Sequence, residues 1–76
     1  MKKDDFINII ENEFFDLGAV QLTESTNFKE LEAYDSLTGM AIITTLEEKY
    51  NVKIPVDEYK KINTIVELYN YIENLK

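Results

Sequence analysis

Residues 35–51, Asp35-Ser36-Leu37-Thr38-Gly39-Met40-Ala41-Ile42-Ile43-Thr44-Thr45-Leu46-Glu47-Glu48-Lys49-Tyr50-Asn51, are the best-patterned part of this chain. Leu37, Met40, Ile43, Leu46 and Tyr50 recur at three- and four-residue spacing, which predicts an amphipathic helix from about Ser36 to Tyr50. Both ends carry stop signals. Asp35 can cap the start, and Asn51 can take the left-handed conformation that closes a helix. The Ser36 hydroxyl then falls where backbone N–H groups lack partners and the positive end of the helix dipole lies. A phosphate is well tolerated there, so Ser36 is a candidate attachment site as well as a possible part of the cap.

Working toward the N-terminus, Phe6, Ile9, Ile10, Phe14 and Leu17 share one helical face and predict a helix from about Lys3 to Leu17. Asp4 and Asp5 suit its start and Gly18 its C-cap. Between Ala19 and Tyr34 the periodicity lapses into a polar stretch around Thr23-Glu24-Ser25-Thr26-Asn27. Val20, Leu22, Phe28 and Leu31 read as its apolar anchors, so a long loop pinned by its own side chains is expected. Toward the C-terminus, Val52-Lys53-Ile54 alternates like a strand but is short and unpartnered, hence an extended connector. Pro55 opens a short helix through about Ile62, with Asp57 and Glu58 near its start. Thr64-Ile65-Val66-Glu67 matches a capping box, and Ile65, Leu68, Tyr69, Ile72 and Leu75 form the stripe of a last helix. The fold class is therefore all-α: a small four-helix bundle with a long loop between helices 1 and 2 and a short third helix, one domain over residues 1–76.

Composition limits the chemistry. A chain of 76 residues buries only about 60% of the surface it exposes when unfolded, and a net stability of about 3–5 kcal/mol is expected. With no Cys and no His, the chain lacks a thiol, disulfides, the commonest metal ligand and the commonest general base. That argues against a self-sufficient enzyme. Fifteen acidic residues against eight lysines give a net charge of −7, which repels nucleic acid and anionic lipid and attracts basic protein surfaces. Five tyrosines could stack on bases, but the charge opposes nucleic acid and helical spacing explains several of them as core. Asp4 and Asp5 directly follow Met1-Lys2-Lys3 and no long apolar run appears, so a soluble, cytoplasmic, non-membrane protein is expected. The acidic residues around 35–48 lack the spacing and central Gly of a calcium loop, and no metal site is assigned.

Phe28, Asp35-Ser36-Leu37, Leu46-Glu47-Glu48, Tyr50, Ile54-Pro55, Ile62, Thr64 and Tyr71-Ile72 stand in an order and spacing that resembles the acyl carrier protein family over nearly the whole chain. The resemblance implies a carrier and no catalytic residues. In that family a separate phosphopantetheinyl transferase moves 4′-phosphopantetheine from coenzyme A onto the motif serine, here Ser36, and the arm's thiol holds cargo as a thioester. Asp35 and Leu37 flank the attachment point; Asp35 resembles the residue that meets the modifying enzyme and its metal, and its role as a plain helix cap is compatible with that. The implied partners are this transferase and basic-surfaced loading and condensing enzymes, met by a monomer. The cargo class stays open between acyl groups of fatty-acid or polyketide type and aminoacyl or peptidyl groups. An unmodified helical interaction module is the remaining alternative.

The chain also departs from the family's usual pattern. Leu31-Glu32-Ala33-Tyr34 stands where fatty-acid carriers usually have Leu-Gly-x before the motif, which resembles freestanding carriers of specialised pathways. Thr38 and Ala41 occupy positions that usually carry recognition acids, on what is expected to be an exposed face. Glu47 and Glu48 keep the far end acidic, and Met40 and Ile42 offer a small apolar spot near Ser36, with core packing the other reading for both. Partner recognition is accordingly assigned to Asp35, Thr38, Met40, Ala41, Glu47 and Glu48. Tyr59 and Leu68 stand at positions that the family usually fills with small residues around its interior pocket, which implies less room for a long chain.

Overall fold

Side-chain caps mark the starts of two helices in this chain, and hydrophobic period alone overextends another. The computed structural model describes residues 2–75. Its order is α1 (Lys3–Glu11), a 3-10 turn at Phe28–Glu30, α2 (Ser36–Tyr50), α3 (Val56–Lys60) and α4 (Ile65–Leu75). These four helices, the long first loop and the short third helix are the architecture expected from the sequence. Among the described residues extended pairing is limited to an isolated bridge between Asn27 and Thr64. No helix among them is long and apolar enough to cross a membrane.

The first helix is shorter than its apolar spacing suggests. After Glu11 the bonds tighten, with the Glu13 N–H donating to the Ile10 carbonyl at 3.0 Å and the Phe14 N–H to the Glu11 carbonyl at 3.2 Å. Ending there buries Phe14 and frees the Glu11 carboxylate to accept the Leu22 N–H at 3.2 Å. Phe15 is consequently thrown outward, 88% exposed. Gly18 does adopt positive φ, +68°, but in the loop and not as a helix cap.

Of the expected loop anchors, Leu22 and Phe28 are buried and Leu31 partly so, whereas Val20 is exposed. Backbone bonds tie the loop to α4: the Ile65 N–H donates to the Thr26 carbonyl at 3.2 Å and the Val66 N–H to the Glu24 carbonyl at 2.8 Å. Two N–H groups at the start of α4, which no helical bond can use, are thereby satisfied. The capping box forms as read, with the Thr64 N–H on Glu67 Oε1 at 2.8 Å and the Glu67 N–H on Thr64 Oγ1 at 3.3 Å.

α2 has the expected ends but a rotated inner face. Thr38, Gly39, Ile42, Ile43 and Leu46 are buried, while Leu37 is 73% and Met40 54% exposed. Two apolar phases overlap along this helix: Gly39, Ile42 and Leu46 face inward together with Ile43, whereas Leu37 and Met40 do not. A Cβ on Gly39 would lie 2.4 Å from the Tyr34 hydroxyl, so any other residue in this turn would require the Tyr34 side chain to shift. Pro55 is the extended cap residue of α3 rather than part of the helix, and Ile62 is buried just beyond its end. On α4, Ile65, Leu68 and Ile72 are buried, but Leu75 is exposed in the last turn. Phe6 of α1 packs edge-on against Tyr69, ring centroids 5.5 Å apart. With Ile10, Phe28, Ile42 and Leu46, these residues form the core that fixes the start of α2.

Candidate functional site

The start of α2 is held by Asp35. Its backbone is extended and its Oδ1 accepts the Thr38 N–H at 2.8 Å, while its carbonyl accepts the Gly39 N–H at 3.0 Å. The Thr38 N–H is the main cause that holds the Asp35 carboxyl below its ordinary value, so it is the charged form that caps the helix. The Thr38 side chain faces inward and is fully buried. Its hydroxyl lies near enough to the Asp35 carboxylate to help lower that pKa, yet no acceptor stands in hydrogen-bonding geometry to it.

Ser36, the first residue of α2, is exposed and opens onto a groove of about 350 Å³ between α2 and α3. Met40, Ile43 and Val56 give the groove its apolar lining, and Tyr34 and Tyr59 also line it. Two lysines, Lys29 and Lys60, complete the wall together with Gly39, so no carboxylate lines it in a chain of net charge −7. Lys29 Nζ stands 4.1 Å from the Tyr59 ring centroid and donates to the Tyr59 carbonyl at 2.5 Å. Burial lowers the Lys29 pKa, and Glu67 partly offsets this. Burial, reinforced by the Tyr34 hydroxyl, raises that of Tyr59.

Asp35, Ser36, Leu37 and Met40 are thus brought together around one exposed helix start. Thr38 is not: read from the sequence as exposed, it faces the core, because the inward turn of α2 begins with Thr38 and Gly39. Ala41 is partly buried. At the far end, Glu48 is exposed, but Glu47 is engaged within the molecule, its Oε2 accepting the Ile54 N–H at 2.7 Å. Ile42 is wholly buried, so the apolar spot beside Ser36 consists of Leu37, Met40 and Val56. Lys29, Tyr34, Gly39 and Val56 line the groove without being marked as site residues by the sequence. The signal for Gly39 was its cost, since glycine inside a helix loses about 1 kcal/mol relative to alanine and needs a reason to be there.

The residues present fit a phosphopantetheine arm. An exposed hydroxyl stands at a helix N-terminus, where a phosphodiester is favoured, and an apolar groove begins beside it. A family model described as a phosphopantetheine attachment site matches residues 5–72. An acyl carrier protein of Campylobacter jejuni (serotype O:23/36) is 40% identical over 68 residues, covering 90% of this chain and 86% of that one. One from Wolinella succinogenes is 33% identical over 72 residues, 95% of each chain. The solution structure of a holo acyl carrier protein from Geobacter metallireducens superposes with a TM-score of 0.78 at 27% identity, covering 96% of this chain and 83% of that one. Matching sequence over most of its length, the same fold and a hydroxyl at the start of α2 together make this chain a member of the acyl carrier protein family, built around a phosphopantetheine attachment site.

Proposed function

We propose that Ser36 Oγ is the attachment point of 4′-phosphopantetheine and that the protein carries acyl groups on it from one biosynthetic enzyme to the next. The observation that carries this reading is the exposed Ser36 hydroxyl at a helix start capped by Asp35. The arm, when bound, supplies the thiol that this cysteine-free chain lacks, and so holds cargo as a thioester. The chain's own residues position and present. Asp35 fixes the helix start, the first-turn N–H groups favour the phosphodiester, and Leu37 and Met40 offer apolar contact around it. The absence of His and Cys supports a carrier that performs no catalysis and leaves proton transfer to the transferase. The curated relatives named acyl carrier proteins favour acyl over aminoacyl cargo.

The charge of −7 favours partners with basic surfaces, steering their encounter more than strengthening the complex. Asp35, Leu37, Met40 and Glu48 are the exposed groups available for that contact, with Ala41 partly accessible. We further read residues 1–76 as one domain acting as a monomer in the cytoplasm. Incubation with coenzyme A and a carrier-protein phosphopantetheinyl transferase tests the central claim by intact mass. Wild type should gain one arm and Ser36→Ala none, with both folded by circular dichroism. Modification at another residue, or none with several transferases, would overturn the assignment.

A further inference from the structure

The groove beside Ser36 is walled by a pair of tyrosines. The hydroxyls of Tyr34 and Tyr59 are hydrogen-bonded at 3.0 Å. Tyr59 is buried, its ring tilted against Phe28 with centroids 6.3 Å apart and its carbonyl held by Lys29 Nζ. The Tyr34 ring packs against both Phe14 and Phe28. Gly39 makes the arrangement possible, since a Cβ there would lie 2.4 Å from Tyr34 Oη and 3.6 Å from Tyr59 Oη. The two rings are therefore fixed by packing from three segments of the chain.

An alkyl chain gains by leaving water in proportion to the area it covers, so a cargo carried on the arm attached at Ser36 will use whatever apolar surface the arm lets it reach. The groove offers such surface at Met40, Ile43 and Val56. Going deeper requires parting the hydroxyl pair and displacing a ring from a packed aromatic cluster, with Phe28 and Ile42 already fully buried. Burial also keeps the Tyr59 hydroxyl neutral, so a rise in pH within the physiological range does not open the pair.

We propose that the Tyr34–Tyr59 pair, seated on Gly39, is a chain-length stop: the groove beside Ser36 takes a short acyl group, and methylenes beyond the groove remain in water. This rests on Ser36 being the tether. The test uses the holo protein, with attachment first verified by intact mass, loaded with butanoyl, octanoyl or dodecanoyl groups through a non-hydrolysable amide linkage. Melting temperature and amide exchange at Ile42 and Leu68 are then compared. In wild type, butanoyl should raise the melting temperature, octanoyl and dodecanoyl should agree within about 2 °C, and exchange at the two core amides should not slow with length. Each further methylene buried would instead add roughly 3–6 °C.

In Tyr34→Leu, dodecanoyl should stabilise several degrees beyond octanoyl. A steady rise with length through dodecanoyl in wild type would overturn the stop, whether or not the variant folds. A plateau in folded Tyr34→Leu matching wild type would overturn its assignment to the tyrosine pair. Failure of Ser36 to accept the arm would instead be seen in the mass spectrum before any melting, and would refute the attachment reading on which the proposal stands.

Discussion

Replacing Glu47 by alanine should destabilise the protein far more than replacing its neighbour Glu48, although the sequence presents them as equivalent surface acids. Glu47 Oε2 accepts the N–H of Ile54 at 2.7 Å, and Ile54 is buried. The Glu47 carbonyl meanwhile accepts the N–H groups of Asn51, whose backbone is left-handed, and of Val52 at 3.3 Å. One residue therefore fixes the end of α2 and the connector that leads into α3. A hydrogen bond to a charged acceptor contributes about 1.5–3 kcal/mol, and truncation leaves the Ile54 N–H without its partner. The slightly better helix propensity of alanine returns only a few tenths of a kcal/mol. A loss of about 2 kcal/mol, roughly 8–16 °C in melting temperature for a domain of this size, is the expected result. Glu47→Gln keeps an oxygen acceptor and should lose about half as much. Glu48→Ala removes the same charge from an exposed site, so it reports the relief of net repulsion alone and should stay within about 0.5 kcal/mol of wild type. Thermal melts of the three variants followed by circular dichroism decide the matter. Glu47→Ala melting within about 2 °C of Glu48→Ala would refute the argument, as would a Glu47→Gln variant as unstable as the alanine.

Acidification should fray the starts of α2 and α4. The Asp35 and Glu67 carboxyls are both held below their ordinary values, chiefly by the N–H groups of Thr38 and Thr64 respectively. Their contribution is full above the unfolded values of 3.8 and 4.5 and disappears as the pH falls through the lower folded ones. Amide shifts of Thr38 and Thr64 followed by pH titration check this, and folded pKa values at or above the ordinary ones would contradict it. Thr38→Val should change stability by less than about 1 kcal/mol, because the buried hydroxyl has no acceptor in hydrogen-bonding geometry, while its nearness to Asp35, which helps hold that carboxyl ionised, is lost. Thr38→Asp should instead cost several kcal/mol, roughly the whole stability of the fold, by burying an unpaired carboxylate; a well-folded, ionised Thr38→Asp protein in urea titration would disprove that placement. Finally, with a net charge of −7, the melting temperature should rise between low and about 0.5 M salt as self-repulsion is screened, and an unchanged value would argue against repulsion as a destabilising force.

Local signals alone determined where most helices begin and what the best candidate site is. Asp35 before a periodic run, Asn51 after it, and the reciprocal Thr64 and Glu67 each act over three or four residues, and the structure follows them. Side-chain direction was decided only by tertiary packing. Periodicity cannot choose between two overlapping apolar phases on α2; in the folded chain Thr38 and Ile42 face the core, with Gly39 close against Tyr34 and Tyr59, and Leu37 and Met40 stay outside. Tertiary contact likewise ended α1 at Glu11, where binding the Leu22 N–H and burying Phe14 displaced another turn of helix, and it drew Glu47 from the surface to the Ile54 N–H. The same holds for the tyrosine pair: nothing in the sequence joins residues 34 and 59 to each other, and only the packing of α3 against the start of α2 brings their hydroxyls to 3.0 Å beside Ser36. Caps and turns depend on neighbours along the chain and are therefore written in it, whereas the inward phase of a helix depends on the shape of what it meets.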